Sequence, residues 1–197
     1  MSGGSIIVLA LLIFAGVTIF KGVRIVPQGY KWIVQRLGKY HTTLTPGLNF
    51  VIPYVDEVAY KVTTKDIVMD IPSQEVITRD NAVLLMNAMA YINITTPEKA
   101  VYGIENYTWA IQNLVQTSLR SIVGEMDLDD ALSSRDHIKA KLKAAISDDI
   151  SDWGITLKTV EIQDIQPSST MQSAMEAQAA AERQRRATVT KADGEKQ

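Results

Sequence analysis

Tyr30-Lys31-Trp32-Ile33-Val34-Gln35-Arg36 decides how the first half of the chain is read. Aromatic and β-branched residues dominate the run and Gly38 closes it, which predicts a strand. The same punctuation continues outward. Pro46-Gly47 marks a turn before Leu48–Ile52, and further strands are predicted at Val58–Val62, Ile67–Ile71, Gln74–Thr78 and Val83–Ile94. Pro53 and Pro72 fall where strands should end or lie at an edge, because proline has no amide to give to a ladder. Short strands without intervening helices predict an antiparallel or mixed sheet rather than βαβ units.

Toward the C-terminus the period changes. Thr96-Pro97-Glu98 starts a short helical turn running to about Gly103. Asn106 caps a helix over 107–123, with Ile111, Leu114, Val115, Leu119 and Ile122 on one face and Gly124 at its end. A short piece covers Leu128–Leu132. Ser134 then caps a helix that carries Ile138, Leu142, Ala145, Ile146 and Ile150 and stops at Gly154. A strand over Ile155–Ile165 returns the chain to sheet. From Met171 to Ala187 neither Gly nor Pro occurs and Ala, Glu, Gln and Arg predominate, so one long exposed helix is expected. Its weak stripe (Met171, Met175, Gln178, Glu182) is under-filled, and with Arg183 and Arg186 it is expected to meet helices of other copies. The pattern is expected to continue beyond Gln197.

Toward the N-terminus, Ile6–Phe20 carries no charge. As a helix it covers roughly 22 Å, somewhat less than the ~30 Å hydrocarbon core, so its flanks must complete the span. Ile6, Leu9, Leu12, Ile13, Phe14, Val17 and Phe20 are the residues expected in lipid. No basic residue precedes the run and no small-x-small cleavage site follows it, so an uncleaved anchor is expected rather than a secretory leader. Lys21, Arg24, Lys31, Arg36 and Lys39 all follow it, which predicts a single-pass protein of the cell (inner) membrane with its N-terminus outside and its main domain in the cytoplasm.

The totals suit one or two small domains: 197 residues, 46% hydrophobic, net charge −2 and no cysteine. There is no global basic field for nucleic acid, no disulfide framework and no thiolate site. His41 and His137 lie far apart with no ligand-spaced carboxylates, and neither a nucleophile elbow nor a phosphate loop occurs, so no enzyme, cofactor, metal or small-molecule substrate is expected. The acidic run Glu125-Met126-Asp127-Leu128-Asp129-Asp130 reads as helix capping rather than calcium binding, for want of the loop glycine and distal glutamate. With the domain cytoplasmic, the sequons at Asn93 and Asn106 are chance matches. Leu48, Phe50, Ile52, Pro53 and Tyr54 have two readings, a core strand or a loop dipping into the lipid headgroup boundary.

Several ordered blocks carry a resemblance. Arg24-Ile25-Val26-Pro27-Gln28-Gly29-Tyr30, Gln35-Arg36-Leu37-Gly38-Lys39-Tyr40, Ile52-Pro53-Tyr54-Val55-Asp56 and the run from Asp70 through Pro72 and Thr78-Arg79-Asp80-Asn81 to Ala82 resemble the stomatin, prohibitin, flotillin and HflK/HflC (SPFH, or band 7) superfamily. Ser134-Arg135-Asp136, Asp152-Trp153-Gly154-Ile155, Val160-Glu161-Ile162 and Ala192-Asp193-Gly194-Glu195-Lys196-Gln197 continue the match, which looks closest to the stomatin-like branch. After the anchor, which occupies 1–22, the resemblance implies an α+β chain: a mainly β SPFH subdomain over 23–95, an α/β subdomain over 96–166 and the start of a coiled coil over 167–197. It also implies ring or cage homo-oligomers at membrane microdomains and a role in protein quality control, with membrane proteases or FtsH- or NfeD-type proteins as partners. A non-ring adaptor of such a protease is the alternative. Stomatin-type apolar hairpins usually carry a proline. Ile6–Phe20 has none, which favours a straight span.

Overall fold

In chain order the elements from Val23 onward are β1 (Val23–Val26), β2 (Tyr30–Arg36), β3 (Lys39–Leu44), β4 (Gly47–Phe50), β5 (Asp56–Thr63), β6 (Asp66–Ile77), β7 (Val83–Ile94), α1 (Pro97–Tyr102), α2 (Tyr107–Gly124), α3 (Leu128–Ser133), α4 (Arg135–Asp152), β8 (Ile155–Pro167) and α5 (Ser169–Gly194). The computed structural model describes residues 11–13, 16–18 and 20–194, with side chains at all of these except 175, 178 and 188–194. Residues 11–13, 16–18 and 20–22 are helical. Ile6, Leu9 and Phe14 of the expected span lie outside the described residues. Among the described residues no helix is long and apolar enough to cross a membrane.

The chain is α+β with antiparallel sheets and forms two compact units, each drawn from separated stretches. One takes Met1–Val68, Tyr91–Trp109 and Ser147–Lys158, the other Met69–Ala90, Ala110–Ile146 and Thr159–Gln197. In the first, β2 is the middle strand of a three-stranded sheet, ordered β3-β2-β5. Both pairings are antiparallel, with Trp32 opposite Leu44 on one side and Lys61 on the other. Ile33 and Val34 are consecutive in the strand and both fully buried. Adjacent residues point to opposite faces, so both faces of this sheet are covered. On the Val34 face, a two-stranded ribbon of β1 and β4 contributes Val26, which packs with Leu44, Val51, Trp32 and Val58. On the Ile33 face lies α1. Its Tyr102 hydroxyl accepts a hydrogen bond from Gln35 at 2.8 Å, and its ring meets Tyr40 and Tyr60 edge-on at 6.1 and 5.9 Å.

Gly154 ends α4 at φ +71°, and its carbonyl accepts from the Thr95 and Thr96 amides at 3.0 and 2.9 Å. A Cβ at this position would stand 2.5 Å from the Thr96 carbonyl oxygen, so only glycine fits.

Strand β7 and helices α2 and α4, each divided between the two units, show both periodicities. Along β7 every second residue from Leu84 to Ile94 is buried, and α2 buries Ile111, Val115, Leu119, Ile122 and Val123. Helix α4 buries Ile138, Leu142, Ile146 and Ile150, while Ala145, expected with them, is exposed. A four-residue spacing drifts around the helix and leaves position 145 to one side. Ile67–Ile71 and Gln74–Thr78, expected as two strands, are one: β6 passes through Pro72 without a break. It lies at the edge of the sheet β6-β7-β8, where a missing amide need cost no ladder bond.

The turn after β6 closes on itself, with Asn81 at φ +65°. Thr78, nearly fully buried, donates its hydroxyl to Asp80 at 2.5 Å and accepts from the Ala82 amide at 3.0 Å. The Asp80 carboxylate accepts from the Leu128 amide at 3.2 Å and so serves the start of α3. Asp129 and Asp130 of the acidic run lie in the first turn of α3, where they meet its N-terminal dipole as expected, while the side-chain cap comes from Asp80. Asp127, at the N-cap position, makes no side-chain cap bond and instead pairs with Arg79 at 2.5 Å.

Candidate functional site

The ribbon of β1 and β4 follows directly on the N-terminal apolar segment. Val23 pairs with Phe50 and Ile25 with Leu48, and antiparallel partners share a face. That face points away from the core: Ile25, Leu48 and Phe50 are 71%, 62% and 71% exposed, and Val23 is half-buried. Gly22 lets the chain enter the ribbon. Its carbonyl accepts from the Val51 amide at 2.8 Å, and a Cβ would stand 2.8 Å from the Val51 carbonyl oxygen. Val51 turns inward to the core while Ile52 and Tyr54 turn out, and Pro53 is half-buried. Of the two readings of Leu48–Tyr54, the core-strand reading fails for Leu48, Phe50, Ile52 and Tyr54. All four side chains lie at the surface.

The turn carrying Ile52 and Tyr54 is held from within. Arg36 clamps the Asp56 carboxylate in a two-pronged ion pair at 2.6 and 3.0 Å, and that carboxylate also accepts from the Ile52 amide at 2.8 Å. The Arg36 guanidinium, joined by the Ile52 amide, holds the Asp56 carboxyl down at about 2. Its stabilisation is therefore full above the ordinary value near 3.8 and disappears as pH falls through about 2. Asp56→Asn is expected to lower the melting temperature at pH 7, and its deficit against the unaltered chain is expected to close between pH 4 and pH 2. A deficit independent of pH would show that the clamp is not ionic.

Cations border this surface. The Lys21 ammonium stands 5.7 Å from the centre of the Tyr54 ring, and that of Lys61 4.6 Å from Trp32. Phe20, Val23, Ile25 and Trp32 wall an apolar cleft of about 460 Å³ that Arg24 also lines. The remaining expected lipid-facing residues with described side chains, Leu12, Ile13, Val17 and Phe20, are all exposed.

The other candidate residues lie on α5. Met171 is half-buried, while Met175 and Gln178 fall outside the described side chains. Glu182 pairs with Arg186 one turn on at 2.9 Å, and Arg183 donates to the Ala179 carbonyl at 3.3 Å, so these polar groups are engaged within their own helix. Among the described residues no group of His, Cys, Asp or Glu could hold a metal ion. Both histidines are exposed. The sequence reading missed Arg36 and Asp56. The basic residue at the end of β2 and the acidic one at the start of β5 are the only local signal, since 20 residues separate them.

An α+β chain of antiparallel sheets with a long terminal helix and an outward apolar ribbon at its N-terminal end is what the fold and this surface define. The sequence profile of the SPFH domain / Band 7 family matches residues 24–196, and the chain belongs to that family. It is 41% identical over 188 residues to an uncharacterized protein of Methanocaldococcus jannaschii, covering 95% of this chain and 94% of that one. It is 38% identical over 169 residues to mitochondrial stomatin-like protein 2 of Homo sapiens, covering 86% of this chain and 48% of that one. An uncharacterized protein of Mycobacterium tuberculosis shares 36% over 191 residues, 97% of this chain and 50% of its own. The chain thus spans about half the length of the mycobacterial and human relatives.

Proposed function

We propose that the protein is a membrane-associated scaffold. On this reading the first unit lies against the bilayer through Ile25, Leu48, Phe50, Ile52 and Tyr54, and copies join through α5 into a large homo-oligomer that organises a membrane patch. It thereby regulates membrane proteins or proteases nearby. One observation carries the reading: large apolar side chains gathered outward beside the N-terminal apolar run, a surface that water-soluble monomers seldom expose. Membership in the SPFH family supports the membrane-associated scaffold role. Ile6–Phe20 is assigned as a single span that tethers this face to the lipid, with the main domain cytoplasmic. The protein acts by binding and placement, without chemistry of its own.

The chain has no cysteine, so one introduced cysteine takes a unique label. In full-length chain reconstituted in vesicles, a fluorophore at Phe50→Cys is expected to be quenched by a quencher on the lipid acyl chains and shielded from iodide. Crosslinking in native membranes is expected to give self-crosslinked ladders of high mass. Iodide access equal to that in water would end the membrane-face reading. A single heteromeric band would replace the scaffold with an adaptor that binds one protease.

A further inference from the structure

Two turns of the first unit hold large side chains in the left-handed backbone region. Leu37 has φ +50° and Tyr54 φ +70°. With Gly38 at φ +80°, Leu37 forms a two-residue hairpin turn between β2 and β3, whose first position ordinarily belongs to Asn, Asp or Gly. A leucine there is strained, and packing does not compensate it, because the side chain is 83% exposed. Tyr54, 71% exposed, repeats the combination. Asn81, the remaining non-glycine residue with positive φ among the described residues, is a short polar side chain that tolerates the conformation.

The two turns are fastened together. The Leu37 amide donates to the Val55 carbonyl at 3.4 Å, and the ion pair of Arg36 with Asp56 ties the residue before Leu37 to the end of the turn bearing Tyr54. Leu37 and Tyr54 line one cleft of about 390 Å³. Tyr54 is linked in turn to Lys21, at the foot of the N-terminal apolar segment.

We infer that Leu37 is a bilayer-inserting residue that forms, with Tyr54, a rigid two-turn wedge in the boundary between headgroups and acyl chains. The inference rests on the membrane-face reading and extends it to a hairpin tip that hydropathy does not mark. The occupant is lipid because the wedge continues the apolar face that begins beside the N-terminal segment, and because Lys21 and the exposed Lys39 flank it as cations flank a headgroup layer. Strain accepted without intramolecular packing is here offset by burial outside the molecule.

The test uses full-length chain in vesicles of phosphatidylcholine and phosphatidylglycerol, with single fluorophores at Leu37→Cys, Phe50→Cys and, as an exposed reference, Glu105→Cys. The label at 37 is expected to be quenched by the acyl-chain quencher and to show at least a five-fold lower iodide quenching constant than the label at 105. Protection at 50 with free access at 37 would overturn the wedge and leave the membrane face standing. Free access at both positions would overturn both. Protection at 37 from iodide without acyl-chain quenching would mean that a protein neighbour covers it, which also overturns the wedge. A second arm separates insertion from a structural role. Leu37→Asn, which suits the turn, is expected to raise the melting temperature in detergent by about 2 °C. In vesicles the same substitution should halve acyl-chain quenching of a label at Tyr54→Cys. A lower melting temperature with unchanged quenching would make Leu37 a structural residue only.

Discussion

Replacing Leu48 and Phe50 together by aspartate is expected to lift the first unit off the bilayer while leaving it folded. The two side chains stand opposite Ile25 and Val23 on the outward face of the ribbon and add little to the core beneath. Each apolar side chain of this size gains about 1.5–3 kcal/mol on leaving water, so the pair contributes roughly 3–6 kcal/mol to seating the face in lipid. That corresponds to a factor of roughly 10² to 10⁴ between the seated and lifted states, before the added charges oppose burial further. Acyl-chain quenching of a label at Ile25→Cys should fall to background in the double variant. Its melting temperature in detergent should stay within about 2 °C of the parent, as for surface substitutions. Unchanged quenching would show that this face does not touch lipid. A collapsed melting temperature would show that the exposed pair is structural after all.

Gly154→Ala is expected to be the most damaging single methyl group in the first unit. An alanine at φ +71° costs about 1–2 kcal/mol from backbone sterics alone. The new Cβ would also stand 2.5 Å from the Thr96 carbonyl and 2.8 Å from the Lys99 Cβ, in a place where the Gly154 carbonyl already accepts from the Thr95 and Thr96 amides and the Thr95 hydroxyl. The sum is about 3 kcal/mol, or a fall in melting temperature of roughly 6–12 °C for a chain of this size. Gly38→Ala is the control. Its φ is +80° but nothing lies within 4 Å of the new carbon, so it should lose only the backbone part, about 1–2 kcal/mol. Equal losses at the two positions would remove overlap with Thr96 from the account.

Much of the fold was legible because burial here follows simple periods. Tyr30–Arg36 and Val83–Ile94 are strands with the bounds their composition predicts, and α2 and α4 bury the apolar stripes that their sequences display except for Leu114, which is half-buried, and Ala145, which is exposed. Gly124 and Gly154 end helices where a glycine should. Strand β3 was not legible. Lys39–Leu44 lacks an apolar alternation, and the turn before it places a leucine where turn chemistry calls for asparagine or glycine. The unbroken passage of β6 through Pro72 was open in sequence, since only the position of that strand at a sheet edge decides whether proline breaks it.

The candidate site divides in the same way. The sequence by itself determined the family, the strand and helix content and the concentration of apolar residues at Leu48–Val55, because composition and local period are written residue by residue. Only the tertiary structure decided that Val51 goes inward while Leu48, Phe50, Ile52 and Tyr54 stay outside. It alone joined Arg36 to Asp56 to fix the turn, and put Leu37 beside Tyr54. The physical reason is that a half-apolar ribbon is compatible with burial on either face. Which face meets the core depends on register and on partners about 20 residues away, and neither is encoded in the local pattern.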